Sequence, residues 1–362
     1  MSETKPSADI LKTKQHYDIL DGLRGVAAVS IVVFHFMEII YSDYSKNFIG
    51  HGFLAVDFFF CLSGFVIAYA YDDRIGKMGV VEFFKSRLIR LHPMVVLGSI
   101  LGLLGFLFDP FVHHTEVYSV GRIALFFVTS IFLIPFPTMA ERGFNLFSLD
   151  APAWSLFWEY VANIVYAFVL SKLNRRWLLV LLLPAAAAIS YTAYHANSLM
   201  GGWCGANFWD GGARISYSFL AGMLVYRFNL ILKTRFGFLG VALLLLLAFF
   251  MPYFSMNWLA ELLVVLLYFP LVVALGAGAT LTPVFKKICV FLGRISYPVY
   301  MVHYAGIWIF YNYYTTHKVT TGQLTAIVAI GAIVLVCAGY LAMVLYDEPV
   351  RKYLNSKRKR SI

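Results

Sequence analysis

The chain has 362 residues, of which 60% are hydrophobic and only 13% charged, and its formal net charge is +10. A soluble domain cannot carry so much apolar surface, and apolar runs of about 20 residues, the length that crosses a bilayer, recur along the sequence. The composition therefore excludes an ordinary soluble enzyme and predicts an all-α, polytopic membrane protein. The excess of lysine and arginine is interpreted as a signal of membrane topology rather than of nucleic-acid binding.

Eleven apolar segments are candidate spans. They cover residues 20–41, 52–72, 89–109, 122–137, 152–170, 177–194, 212–229, 236–254, 257–280, 295–312 and 322–346. The first contains Arg24 and lacks a small-residue cleavage pattern, so it is interpreted as a retained span rather than a signal peptide. Four cysteines lie singly along the chain, and no paired spacing among them predicts a metal site.

The distribution of positive charge reduces these eleven segments to ten spans. If the segment 122–137 does not cross, most lysines and arginines fall on the side of the amino terminus, as the positive-inside rule requires. If it crosses, that asymmetry weakens. We therefore predict ten spans with both termini cytoplasmic, and an outer region 110–151 that holds one short re-entrant or interfacial helix.

Three parts of the chain follow from this topology. Residues 1–19, with Lys5, Lys12 and Lys14, are predicted to be a cytoplasmic tail, and residues 20–348 the transmembrane domain. Residues 349–362 are predicted to be a basic cytoplasmic tail that lies near anionic lipid.

Arg24 and His35 are the most informative pair in the first span. They are eleven residues apart, so a helix places them on one face, roughly 16 Å apart along its axis. Ionisable groups inside a membrane are costly unless they face protein or a water-lined cavity. The pair therefore predicts a cavity along this helix.

The predicted topology places His35, Asp57 and Glu159 at similar depth on three helices, which makes them a candidate acid–base cluster. Glu38 follows His35 by three residues and is expected either to pair with it or to lie in the outer interface. Asp57 and Glu159 have an alternative interpretation, as hydrogen-bonding residues that join helices.

A second cluster is cationic. Arg87 and Arg90 lie one turn apart at the start of the third span, at the level of Arg24. Three guanidinium groups can bind phosphates through forked hydrogen bonds, although arginines at this depth also serve as inner-leaflet anchors. A coenzyme A thioester, with phosphates at one end and a reactive group on a long arm, has the shape to span both clusters.

Several stretches of the sequence resemble the integral-membrane acyltransferase 3 family, which O-acylates carbohydrates. In chain order they are LDGLRGVAAVSIVVFHF, VDFFFCLSGFVIAY, RLIRLHP, APAWSLFWEY, GRISYPVYMVH and YDEPVRKYL. The resemblance runs from about residue 20 to residue 353. It rests on the order and spacing of these motifs rather than on any one of them.

The resemblance implies a core of ten helices around an acyl-CoA tunnel in the bacterial inner membrane. It also implies an acyl-CoA donor, usually acetyl-CoA, and a glycan acceptor at the outer face, with no metal. Some members carry an added esterase-like domain, which is not seen in this sequence, so direct transfer to a sugar hydroxyl is expected. An exopolysaccharide, O-antigen or lipid-linked oligosaccharide is then a more natural acceptor than peptidoglycan.

The motifs assign expected roles. His35 would be the general base, because an imidazole titrates near neutrality, and Asp57 or Glu159 would orient it. Arg24, Arg87 and Arg90 would hold the phosphates of the donor.

The remaining candidates are substrate-binding residues. Trp154 would stack on a sugar ring or belong to an interfacial aromatic belt, and Arg214 would contact the acceptor or an acidic neighbour. Tyr297 and His303, in the late motif, complete this group, and His303 has a structural role as its alternative. A covalent acyl intermediate on Ser63, Ser155 or Tyr297 is a further alternative.

Two other classes of protein remain open from the sequence. A transporter or flippase would also bury ionisable residues along a pathway, although no inverted repeat is visible. A membrane assembly scaffold would use the same residues for packing alone.

Overall fold

The computed structural model describes residues 16–113 and 116–360, with side chains through residue 358. Within those residues the secondary structure is helical, with isolated bridges only. The helices are α1 (Asp18–Ile40), α2 (Ala55–Tyr71), α3 (Ile75–Leu107), α4 (Val120–Ile131), α5 (Ala153–Phe168), α6 (Arg175–Ala196), α7 (Phe208–Arg227), α8 (Gly237–Phe249), α9 (Asn257–Gly278), α10 (Pro283–Thr316), α11 (Thr321–Ala342) and α12 (Glu348–Arg360). Lys5, Lys12 and Lys14 of the predicted tail lie outside the described residues.

The helices confirm a polytopic membrane protein. Seven helical segments in the described part of the chain are long and apolar enough to cross a bilayer. They are α1, Gly52–Tyr71, α3, Ala153–Lys172, α6, α9 and Thr321–Arg358. Each of the other three predicted spans also contains a helix, namely α7, α8 and α10. Helix α8 has 13 residues, fewer than the roughly 20 that cross a bilayer alone, so the number ten stays a prediction.

The predicted short extra helix exists as α4. Its 12 residues make a rod of roughly 18 Å, which is too short to cross the hydrocarbon core. The Ser119 side chain caps its start by accepting a hydrogen bond from the backbone of Arg122. The helix therefore has the length expected of a re-entrant or interfacial element.

Helices α1 and α10 form the central pair of the bundle and run parallel. Gly22 and Gly25 of α1 press against Cys289 and Leu292 of α10, and a β-carbon on either glycine would collide with its neighbour. Small residues let two membrane helices approach closely. We call the end where α1 begins the inner end and the end where it finishes the outer end, following the predicted topology.

A second close pair is formed by the parallel helices α2 and α7, whose contacts run from Asp57–Arg214 to Asp72–Arg227. Gly64 faces the backbone carbonyl of Phe219, and Gly222 faces that of Cys61. No side chain larger than hydrogen fits at either contact. This pair packs against α5 and α10 on one side of the bundle.

Two π-helical turns occur in the described part of the chain. In α9 the turn spans Val264–Tyr268, and between α11 and α12 it spans Met343–Asp347. The second turn leads directly into α12, where the Arg358 guanidinium donates to Glu82 of α3 at 2.8 Å. The basic carboxyl-terminal segment is therefore a helix packed against the inner end of the bundle.

Candidate active site

A cavity of about 430 Å³ opens near the inner end, between α1, α2, α3, α5, α10 and α12. Its size lies within the range of ordinary ligand pockets. Five arginines and three carboxylates are among its lining side chains. The arginines are Arg24, Arg87, Arg90, Arg294 and Arg351, so the three predicted from the sequence line a single cavity. The cavity is cationic overall.

Helix α10 fixes Arg24 in place. Its Nε donates to the Ser296 hydroxyl and one Nη to the carbonyl of Gly293, both at 2.9 Å. Asp21, one turn earlier on α1, forms an ion pair with it at 2.9 Å. Because α10 holds the side chain, Arg24 points into the cavity rather than into lipid.

Arg87 pairs with Glu159 across the cavity wall. One Nη donates to Oε1 of Glu159 at 2.7 Å, and the Ser63 hydroxyl donates to the same oxygen at 3.0 Å. The Nε of Arg87 is buried and has no hydrogen-bond partner. A buried donor without a partner is costly, so this arginine retains a capacity to bind an acceptor group.

Arg90 has no carboxylate within ion-pair distance among the described residues, although it lines the same cavity. Its side chain is exposed, and Arg24, Arg87 and Arg351 all act on it electrostatically. Arg351 is itself paired with Asp347 at 3.0 Å. Among the described residues, Arg90 is therefore the arginine lining this cavity that forms no ion pair.

Two tyrosines of α10 form the other end of the cavity. The Tyr297 hydroxyl donates to the carbonyl of Leu91 at 2.6 Å, which anchors α10 to α3. The hydroxyls of Tyr300 and Ser155 lie 2.7 Å apart, and Ser155 also donates to the carbonyl of Pro152. The three hydroxyl-bearing candidates Ser63, Ser155 and Tyr297 thus all line the cavity.

His35 lies beyond that end, three turns along α1 from Arg24. Its Nδ1 is 2.5 Å from Oε1 of Glu38, one turn further on. Its ring stacks on His303 at 5.3 Å between centroids and meets Tyr304 edge-on at 4.8 Å. A carboxylate on Nδ1 keeps the proton there and leaves Nε2 as the basic nitrogen.

The structure differs from the sequence expectation on the tunnel. His35 is not among the described side chains that line the cavity, which ends at Ser155 and Tyr300. The Tyr300 ring lies 6.0 Å from that of His303, which in turn stacks on His35. The rings of Tyr300 and His303 therefore lie between this cavity and His35.

The predicted cluster of His35, Asp57 and Glu159 is likewise not assembled. Glu159 binds Arg87, and Asp57 binds Arg214 through two bonds, at 3.0 Å to Oδ1 and 2.6 Å to Oδ2. Among the described residues, neither acid contacts His35. The carboxylate that contacts the imidazole is that of Glu38. The sequence left two options for Glu38, pairing with His35 or lying in the outer interface. The structure has Glu38 paired with His35.

Arg214 and Trp154 are buried together. The Arg214 side chain is fully buried against Asp57. Of the two partners expected from the sequence, a glycan acceptor or an acidic neighbour, the structure has the acidic neighbour. Its guanidinium lies 5.1 Å from the Trp154 ring centroid, and Trp154 is 8% exposed. In this arrangement the indole stacks on an arginine and is not open to a sugar.

His303 is fully buried beside His35. Its Nδ1 donates to the carbonyl of Val299 at 3.1 Å, and its Nε2 has no partner. Three outer residues beside it were not singled out from the sequence, namely Tyr304, Trp308 and Arg142. Tyr304 and Trp308 are four residues apart and share one face of α10, and that spacing was the signal available for finding them.

Comparisons with known proteins define the class. A family model described as an acyltransferase domain matches residues 17–343. The chain belongs to this acyltransferase family. No solved structure matches it.

Individual relatives agree with that assignment. The chain is 36% identical over 162 residues to "Protein 2 in picA locus" of Rhizobium radiobacter, across 42% of this chain and 82% of that protein. It is 36% identical over 80 residues to the O-acetyltransferase OatA of Staphylococcus aureus, across 21% of this chain and 12% of that protein. A putative O-acetyltransferase of the same species is 24% identical over 328 residues, across 83% of this chain and 52% of that protein. The chain thus spans about half or less of the two named O-acetyltransferases.

Proposed function

We propose that this protein is an O-acyltransferase of the bacterial inner membrane, with both termini cytoplasmic. It takes an acyl group, most simply acetyl, from cytoplasmic acyl-CoA and transfers it to a hydroxyl of a cell-surface or lipid-linked glycan. One observation supports this above others. Helix α1 holds Arg24 in a cationic cavity and, three turns later, holds His35 against Glu38.

The cavity suits the donor. Coenzyme A carries several phosphate charges, and arginine binds phosphate through forked, charge-assisted hydrogen bonds. Arg90 lacks a carboxylate partner and Arg87 has a free buried Nε, so both have donors to offer. The acyl arm would then run along Ser63 and Tyr297 toward Tyr300.

The pair of His35 and Glu38 suits the chemistry. In the proposed reaction the acceptor hydroxyl gives its proton to Nε2 of His35 while its oxygen bonds to the thioester carbonyl carbon. The intermediate then breaks its carbon–sulfur bond, and the coenzyme A thiolate takes the proton back. Glu38 stabilises the imidazolium formed between these steps.

The rings of Tyr300 and His303 lie between the cavity proposed for the acyl donor and the proposed base, His35. For the carbonyl carbon to come within reach of His35, the Tyr300 ring has to leave its position beside Ser155. Asp57 and Arg214 would then act by positioning α2 against α7, and Trp154 by packing on that ion pair.

The test is complementation of a deletion strain, with the ester content of its surface polysaccharides measured by NMR. The wild-type gene should restore the esters, whereas His35→Ala should not, although the variant accumulates normally. His195→Ala, a histidine on the distant helix α6, is the matched control and should restore them. Full ester content with His35→Ala would overturn the assignment of the base.

Purified protein in proteoliposomes separates an enzyme from a transporter. With labelled acetyl-CoA and surface oligosaccharides from the deletion strain, an acyltransferase releases coenzyme A and labels the oligosaccharide. A transporter or flippase would do neither.

A further inference from the structure

A line of contacts leads from His35 away from the cavity. The His35 ring meets Tyr304 at 4.8 Å, Tyr304 meets Trp308 at 5.2 Å, and the Arg142 guanidinium lies 4.6 Å from the Trp308 ring centroid. Tyr304 and Trp308 are one turn apart on α10 and are only partly buried. Arg142 comes from the loop between α4 and α5. Base, aromatic rings and cation thus form one continuous cluster at the outer end, which we call the outer cluster.

Arg142 is a buried cation without an ion pair. It is 4% exposed and lies between the rings of Phe106, at 5.0 Å, and Trp308. One Nη donates to the carbonyl of Ser148, and no carboxylate lies within ion-pair distance among the described residues. Burial lowers the pKa of Arg142 to about 10, which still leaves it charged at neutral pH.

The nearest acids are engaged elsewhere. Glu141 accepts the hydroxyl of Tyr118 at 2.7 Å, and Asp109 accepts the amide of Asn312 at 2.7 Å. The Asp109 carboxylate also accepts two backbone amides at the end of α3. Both carboxylates act on the Arg142 charge electrostatically, but neither lies within ion-pair distance of it.

A second donor beside Arg142 is also unused. The indole Nε1 of Trp308 is buried and has no hydrogen-bond partner. A buried cation and a buried N–H without acceptors carry a desolvation cost that a bound anion would offset. Carboxylates are suited to this because they accept forked hydrogen bonds from arginine.

We propose that this outer cluster binds an acidic glycan, with a sugar carboxylate held by Arg142 and Trp308 so that a hydroxyl on the same chain reaches His35. This rests on the proposed O-acyltransferase function and narrows its acceptor to carboxylate-bearing saccharides. Tyr304 lines the path between the carboxylate and the hydroxyl. The outer cluster thereby selects the acceptor, while the inner cavity selects the donor.

The experiment compares two forms of one acceptor. Oligosaccharides released from the deletion strain are separated by anion exchange, and part of the acidic fraction is reduced at its carboxyl groups to the neutral alcohol. Transfer from labelled acetyl-CoA to both forms is measured with wild-type protein, Arg142→Gln and Trp308→Phe. Wild type should favour the acidic form about tenfold, the scale of one charge-assisted hydrogen bond.

Arg142→Gln should abolish that preference, and Trp308→Phe, which keeps the ring and removes the N–H, should reduce it. Arg122 is the matched control, because it is another outer arginine, 4.8 Å from the ring centroid of Phe136. Arg122→Gln should keep the wild-type preference.

Equal transfer to both forms by wild type would overturn the proposal, whether or not the variants accumulate. A preference that survives in Arg142→Gln would also overturn it. If no fraction is labelled and no coenzyme A is released, the O-acyltransferase function itself fails, which is a different result.

Discussion

The two arginine–carboxylate pairs, Arg214–Asp57 and Arg87–Glu159, differ in how completely they are closed. In the first, both side chains are fully buried and two bonds join them. In the second, a single bond of 2.7 Å leaves the Arg87 Nε without a partner, and the Glu159 side chain is 21% exposed. A closed pair can only support the fold, whereas an open pair beside a cavity can also bind a ligand.

The difference follows from the surroundings of each pair. Arg214 is enclosed by the carbonyls of Gly201 and Phe53 in addition to Asp57, so its donors are directed at the protein. Arg87 faces the cavity with Arg90 one turn away. Four substitutions test this contrast.

The largest expected effect is on stability. Asp57→Ala should lower the free energy of unfolding by about 3–5 kcal/mol, because it leaves the buried Arg214 charge uncompensated. Thermal unfolding in detergent and the amount of protein in membranes would measure this. Asp43→Ala, at an exposed loop aspartate that caps one short turn through Ser45, is the control and should cost at most about 1 kcal/mol. Unchanged stability in Asp57→Ala would show that the pair is not structural.

The close contact between α2 and α7 should be the next most sensitive. A β-carbon at Gly222 would meet the backbone carbonyl of Cys61, so Gly222→Ala should cost about 1–3 kcal/mol through overpacking. Gly121→Ala, where no atom lies within 4 Å of the added carbon, is the matched control. The same unfolding measurement applies, and equal behaviour of the two variants would contradict the packing shown here.

The open pair should respond in activity rather than in stability. Glu159→Gln keeps the shape but removes the charge that orients Arg87, so kcat/KM for acyl-CoA should fall about tenfold, on the scale of one charge-assisted hydrogen bond. The unfolding temperature should stay close to wild type. Steady-state kinetics in proteoliposomes would measure the first quantity. A large loss of stability with normal kinetics would reverse the two assignments.

The smallest effect is expected for Arg90, which is accessible and unpaired. Arg90→Gln should raise the KM for acyl-CoA severalfold and leave kcat unchanged, because a solvated phosphate contact is worth about 1 kcal/mol. Raising the salt concentration should shrink the difference between variant and wild type. Arg235→Gln, at an exposed arginine outside the cavity, should behave as wild type. An unchanged KM in Arg90→Gln would argue against the phosphate role.

Helix placement could be predicted from hydropathy, because apolar segments of spanning length leave few alternatives. The boundaries were less accurate for α3 and α10. Helix α3 begins at Ile75, with a kink at Gly79, rather than at 89, and α10 begins at Pro283 rather than at 295. Both helices continue into charged sequence, where Lys85 and Lys286 lie at the surface. A hydropathy window ends at the first charges even though the helix does not.

For the candidate site, the predicted depths put Arg24, Arg87 and Arg90 at one level, and all three line one cavity, while their phosphate-binding role stays a prediction. These depths could not assign partners to Asp57 and Glu159, since depth alone does not say which neighbouring helix faces an acid. The predicted depths did not single out Arg142 for the same reason. Its contacts depend on how the loop between α4 and α5 folds back over α10.

The direction in which Arg351 points at the inner mouth of the cavity depends on one extra residue in the π-helical turn at Met343–Asp347. Such a turn inserts a residue into a regular helix and shifts the following register by about 100°. Apolar side chains before it can therefore face lipid while Arg351 after it faces the cavity. Deleting one residue there would rotate the whole basic helix and carry its charges around to the membrane surface, even though every side chain in that helix would be unchanged.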